Sequence, residues 1–192
     1  MNNSILHKPF FTPIFTTNID LNLADKIEDV VTPKLDQLEY NDFENNSSDF
    51  YKKNKILNEN EVPYLFDFIN TNARLYAKNT NMNASHMCNY WIQNYDTNQT
   101  HHQHTHPHCS ISGVYFIRSN ENAGNLRFEN PNPYVKIVLW ENVKKWNGIS
   151  HYDITPKKGM LVLFPSYMTH QVLPSDSSDI IRTSLAFNYR DY

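Results

Sequence analysis

Helical periodicity in the first third of the chain, seven short aromatic and β-branched runs at regular spacing after it, and turn residues between those runs predict a mainly β (α+β) fold. The architecture expected is a double-stranded β-helix, a cupin-like jelly roll of antiparallel strands, with N-terminal helices packed on its outer face. At 192 residues the chain suits one domain over 1–192. Residues 1–86 form its helical front and support, and residues 87–192 its β core.

The first helix is expected from near Asp20, in DLNLADKIEDVV, to end or break at Pro33, which has no N–H to give to a helix interior. A second helix can take Asn60 as its cap and Pro63 in its first turn. Val62, Leu65, Phe66, Ile69, Ala73 and Tyr76 then form one apolar stripe that must bury against a sheet. The segment between the two helices, EYNDFENNSSDFYKKNK, is polar and loop-like.

The strands are expected at MCNYWIQNY (87–95), ISGVYFIR (111–118), NLRFEN (125–130), YVKIVLW (134–140), GMLVLFP (159–165), HQVLP (170–174) and IIRTSLAFNY (180–189). Turn residues separate them, among them Asn147-Gly148, the NPNP at 130–133 and the SDSSD at 175–179.

Composition limits the partners. A net charge of −3 with scattered Lys and Arg gives no strong nucleic-acid signal. Neither a basic-then-apolar leader nor an apolar run of about 18 residues is present, so a soluble, cytoplasmic protein with no membrane association is expected. Its substrate would be a small molecule or a protein, and exposed edge strands would permit a homodimer. Two cysteines, Cys88 and Cys109, are too few for a disulfide scaffold and suit a reducing compartment.

Chemistry concentrates in HHQHTHPHC, residues 101–109, which holds five of the nine histidines. Residues i and i+2 of an extended segment share a face, so His104 with His106, or His106 with His108, can reach one metal ion. His170, in LFPSYMTHQVLP, can supply a third ligand from a distant strand, leaving the far side of the ion open. His101, His102 and His108 are expected beside the site or facing solvent. Cys109 abuts the cluster and could add a thiolate, although a small residue at a strand start is the simpler reading. Arg182 and Ser184 form another i, i+2 pair, suited to gripping a carboxylate through parallel charge-assisted hydrogen bonds. A carboxylate clamp next to a metal points to a 2-oxo acid chelating that metal.

These motifs together resemble a known family. H-x-H-P followed by SGVYF, then AGNLRFENP, then FPSYMTHQVLP and R-T-S-L-A-F-N are similar to the 2-oxoglutarate and Fe(II)-dependent oxygenases, and the opening FFTPIF resembles their start. The resemblance covers nearly the whole chain and is densest from Trp91 to Asn188. It implies Fe(II) held by His104, His106 and His170, with H-x-H-P favouring His104/His106 over His106/His108. It also implies 2-oxoglutarate with its distal carboxylate on Arg182 and Ser184, and O2 as the oxidant. Because the strand ahead of the first metal pair usually faces the cosubstrate in this family, Asn94, Tyr95 or Tyr115 is expected to hydrogen-bond it.

One departure stands out. The wider superfamily uses H-x-D or H-x-E, whereas residues 104–106 read H-T-H and no acid lies between 97 and 120. A set of neutral donors leaves the ion more positive and can shift metal preference towards zinc or copper. The reading expected is a hydroxylase-type dioxygenase releasing succinate and CO2. Two alternatives stay open: a cupin-like three-histidine enzyme without 2-oxoglutarate, and a β-helix that binds metal or a small acid without turnover.

Overall fold

Period-two alternation builds two antiparallel sheets in the computed structural model, which describes residues 12–38, 54–95, 99–132, 134, 150–175 and 182–190. The five-stranded sheet runs β1 (Phe15–Asn18), β7 (Met160–Pro165), β4 (Ile111–Arg118), β9 (Arg182–Arg190), β2 (His86–Tyr95). The four-stranded sheet runs β3 (His101–His104), β8 (His170–Val172), β5 (Leu126–Glu129), β6 (His151–Ile154). Such a pair of facing antiparallel sheets with crossing connections is the double-stranded β-helix.

The inner strands β4 and β7 are apolar on both faces because each face is covered. On β4, Ile111, Tyr115 and Ile117 face the helices, while Val114 and Phe116 face the smaller sheet. The helix-side core takes Ala24, Ile27 and Val31 from α1 (Leu21–Val31), and Leu65, Phe66, Ile69, Ala73 and Tyr76 from α2 (Pro63–Thr80). The inter-sheet core is smaller, built on Phe116, Leu126, Phe128, Val162, Phe164 and Met168.

Asp20 caps α1 by accepting the Asn22 N–H at 3.0 Å, and Pro33 falls in a short 3-10 turn, Thr32–Gln37, where its missing N–H costs nothing. The start of α2 differs from the expectation. Pro63 opens it, but Val62 is the cap residue and no side chain caps the helix, while the Asn60 N–H is spent on Asn58 Oδ1 at 3.0 Å. The Val62 side chain is fully buried, so packing holds this end instead.

Three strands beyond the expected ones appear: β1 inside the helical front, β3 within the histidine stretch, and β6. All three are four residues long and carry polar residues, so they lack the strand pattern and are defined by their partners β7, β8 and β5. The expected strand at 134–140 lies, apart from Tyr134, outside the described residues, as do residues 39–53 of the loop at 39–55 and residues 180 and 181. Among the described residues no helix is long and apolar enough to cross a membrane.

Candidate metal centre

Cross-strand register assembles the centre. β3 and β8 pair antiparallel with His104 opposite His170, and their ring centroids lie 4.2 Å apart. His106 follows β3 in an extended connection, where its backbone N–H donates to Ser166 C=O at 2.9 Å while Ser166 N–H donates to Ser110 C=O at 3.1 Å. These two bonds tie residues 106–110 to the turn between β7 and β8, the turn that delivers His170. One ligand atom from each of His104, His106 and His170 lies within 4.8 Å of the others. His108 takes no part: it is exposed, in a turn, with φ of 64°.

Two of the three rings are fixed in one tautomer. His104 Nδ1–H donates to His102 C=O at 2.8 Å, and His170 Nδ1–H donates to Met168 C=O at 2.9 Å. Each therefore keeps its Nε2 lone pair for an ion, the outer-sphere arrangement that orients histidine ligands. Apolar rings wall the group, with Phe164 edge-on to His170 at 4.7 Å and Trp91 6.1 Å from His106. Burial holds His106 at a pKa of about 4, with His104 adding to the depression, and lowers His104 and His170 as well. All three are neutral at pH 7, the form that binds a metal.

His101 belongs to this cluster although it is three residues from His104. β3 carries a bulge: His101 opposes Val172 and His104 opposes His170, so three steps on one strand match two on the other. The extra residue brings His101 onto the His104 side, and the rings stack at 4.0 Å and 14°. Tyr95 Oη lies 3.0 Å from His101 Nδ1, and burial followed by the neighbouring histidines lowers the His101 pKa to about 3.

Arg182 lies within the same cavity. Its side chain is buried, 2% exposed, and it has no acidic partner among the described residues. One terminal N–H donates to Gly124 C=O at 3.0 Å and the guanidinium lies 4.6 Å from the Tyr95 ring centroid, while Nε has no hydrogen-bond partner. Burial lowers its pKa to about 10, which still leaves it charged at neutral pH. Ser184, two residues on, lines the cavity as well. Beside them Gln93 Nε2 is buried without a partner. A buried cation and an orphaned amide donor are costly unless an anion meets both. The cavity, about 40 Å³, is shared by the histidines, Gln93, Arg182 and Ser184, and so brings donors suited to an anion together with nitrogens suited to a metal.

Two expected residues do not reach it. Asn94 and Tyr115 lie on the opposite faces of their strands. Asn94 Oδ1 accepts the Thr183 hydroxyl at 2.6 Å, and Tyr115 is fully buried in the helix-side core. The strand period explains both. In the β2–β9 register, Tyr95 opposes Arg182 and Gln93 opposes Ser184, so the cavity face of β2 is the odd-numbered one. Gln93 was legible by that same rule, counting back from Tyr95, but its amide carries no motif.

This pairing of a double-stranded β-helix with a histidine centre and a buried arginine defines the class. A family model described as "Putative 2OG-Fe(II) oxygenase" matches residues 89–188, and the chain belongs to that family. Membership implies Fe(II) and 2-oxoglutarate as cofactor and cosubstrate. Among solved structures the chain is similar to a prolyl-4-hydroxylase from Pseudomonas putida (12% identity, 93% of each chain, TM-score 0.63). It is also similar to a Trichoplax adhaerens prolyl hydroxylase in complex with a hypoxia inducible factor oxygen degradation domain peptide fragment (12% identity, 93% of this chain and 83% of that one, TM-score 0.65). At such identity these likenesses establish the double-stranded β-helix fold. No curated protein matches the chain.

Proposed function

We propose that the chain is a 2-oxoglutarate- and Fe(II)-dependent hydroxylase. His104, His106 and His170 would hold Fe(II), and Arg182, with Ser184 and Gln93, would take the distal carboxylate of 2-oxoglutarate. The observation that carries this reading is the buried, acid-free Arg182, with Nε unpartnered, in one cavity with three convergent neutral histidines. With both groups bound, the site would supply O2-dependent oxidative decarboxylation of 2-oxoglutarate to succinate and CO2, coupled to hydroxylation of a substrate C–H bond.

The protein's own part is positional. The Met168 and His102 carbonyls hold His170 and His104 in the tautomer that presents Nε2 inward. The Gly124 carbonyl and the Tyr95 ring hold the guanidinium so that its remaining donors face the cavity. Phe164, Phe128 and Trp91 set apolar surface against His170 and His106, which lowers the local dielectric and strengthens electrostatic contacts there.

A cosubstrate-free, three-histidine enzyme is favoured by one observation: no acid joins the three neutral donors among the described residues. Anaerobic addition of Fe(II) and 2-oxoglutarate separates the readings. The proposal expects a visible metal-to-ligand charge-transfer band that His106→Ala abolishes and Arg182→Ala weakens, and O2-dependent succinate formation. Iron binding with no such band and no succinate would sink it in favour of the cosubstrate-free enzyme.

A further inference from the structure

Cys88 and Cys109 come from opposite ends of the β2-to-β4 segment, yet their Sγ atoms lie 4.0 Å apart as free thiols. Each sits where the backbone departs from regular pairing. Cys88 occupies the irregularity in β2 between Met87 and Asn89, and Cys109 follows the turn residue His108 with its φ of 64°. Both are half-buried, so a small oxidant reaches them. A disulfide bond needs the sulfurs at about 2.05 Å, a closure that a bulge and a turn can absorb. Burial, with Cys88 next to it, lifts the Cys109 thiol to about 11, so that thiol rests protonated at neutral pH.

The pair is wired to the histidine centre. Cys88 Sγ–H donates to Asn188 C=O at 3.3 Å, and Asn188 Oδ1 accepts the Ser112 hydroxyl at 2.6 Å. Ser112 Oγ in turn lies 2.8 Å from Ser166 Oγ, on the residue whose carbonyl holds the His106 N–H. Cys109 is itself three residues from His106, at the end of the segment pinned by Ser166.

We propose that Cys88 and Cys109 are a reversible redox site, closed to a disulfide by a peroxide and reopened by thiols, whose closure shifts the His106 segment and weakens metal binding. One thiol releases its proton and attacks a peroxide oxygen, the O–O bond breaks, and the hydroxide that leaves takes up that proton, giving a sulfenic acid and one water. The second thiol releases its proton as it attacks the sulfenic sulfur, and the displaced hydroxide takes that proton and leaves as the second water. The two thiols lose two electrons and two protons, and hydrogen peroxide is reduced.

The test treats the full, metal-free chain with hydrogen peroxide, quenches with catalase, and reads intact mass and thiol count after unfolding. The expected product is a monomer lighter by two hydrogen atoms with no free thiol, restored by dithiothreitol. Cys109→Ser and Cys88→Ser yield only oxygen adducts under the same treatment. Zn(II) titration then compares the two forms, and closure is expected to weaken binding about tenfold, the scale of an outer-sphere perturbation. Oxygen adducts on the cysteines of the wild type, told apart from methionine sulfoxide by peptide mass, or equal Zn(II) affinity for both forms, overturn the proposal. The metal half rests on the histidine-centre reading. If the reduced chain binds no Zn(II), that reading has failed, while the mass result still decides whether the thiols pair.

Discussion

His106 Nε2 and His170 Nε2 face each other at 3.3 Å, between the connection that follows β3 and the start of its neighbour β8. His170 has committed its Nδ1 hydrogen to Met168, so its Nε2 carries a lone pair and the hydrogen between the two rings must come from His106. A metal ion replaces that single weak bond with stronger ones to both nitrogens. Zn(II) or Fe(II) is therefore expected to stabilise the wild type by about 2.7 kcal/mol at a hundredfold excess over Kd, and so to raise its thermal midpoint. His170→Ala should lose more than about a hundredfold in affinity, since it removes a ligand and not only a ligand's support. Differential scanning fluorimetry with and without metal checks both, and a His170→Ala midpoint that rises as the wild type's does would remove these histidines from the site.

Arg182 leads to a prediction of opposite sign for folding and binding. Without an anion its guanidinium is buried and has no acidic partner among the described residues, so Arg182→Met, which keeps much of the volume, is expected to stabilise the unliganded protein by about 1–3 kcal/mol. The same substitution should raise the 2-oxoglutarate dissociation constant by thirtyfold or more, since loss of a buried charge partner costs about 2–5 kcal/mol. Urea unfolding and calorimetric titration measure the two. Unchanged 2-oxoglutarate affinity would return Arg182 to a purely structural role.

Much of the centre was legible because its parts obey strand periodicity. His104 with His106, and Arg182 with Ser184, are i, i+2 pairs, and His170 opens a strand after a turn. What escaped depends on pairing that a single strand does not display. Asn94 and Tyr115 have the right chemistry on the wrong face, which the β2–β9 register shows for Asn94 and burial in the helix-side core shows for Tyr115. His101 joins His104 through a bulge, which breaks the period that sequence reading uses. β1 and β3, FTTN and HHQH, become strands only by docking on β7 and β8. The α2 stripe was readable almost residue by residue, because a helix carries its own period, whereas its cap was misplaced because packing of Val62 replaced capping chemistry.

Gly124 supports the arginine from its backbone. Its φ is +76°, and a Cβ there would lie 2.2 Å from Leu173 O and 2.8 Å from Pro174 O, so the loop must move to accept any side chain. Its carbonyl is the acceptor of the Arg182 N–H. Gly124→Ala is expected to destabilise the fold by about 1–3 kcal/mol and also to weaken 2-oxoglutarate binding, although residue 124 does not line the cavity. Gly159→Ala is the control. Its φ is +80° and its Cβ would press on Ala24 Cβ at 3.3 Å, costing stability away from the cavity and without touching the Arg182 hydrogen bond. If both variants bind 2-oxoglutarate as the wild type does, Gly124 has no positioning role.

The four clustered imidazoles make acid stability depend on histidine. Folded, His101 and His106 titrate near 3 and 4 and His104 and His170 are also lowered, against an ordinary value of 6.5. As pH falls below 6.5 the unfolded chain takes up protons that the folded chain refuses, so stability present above that pH is lost progressively towards the folded values. His106 alone accounts for a loss of roughly 3 kcal/mol at most by pH 4. Carboxylates such as Asp153, whose pKa the Arg127 hydrogen bond lowers, respond only at lower pH, so the histidine contribution is read between pH 6.5 and 5. In metal-free protein the urea midpoint should fall across that window, and His106→Gln, which cannot be protonated, should flatten the slope. An equal slope in His106→Gln and wild type would mean that the ring at position 106 is protonated as freely in the folded chain as in the unfolded one.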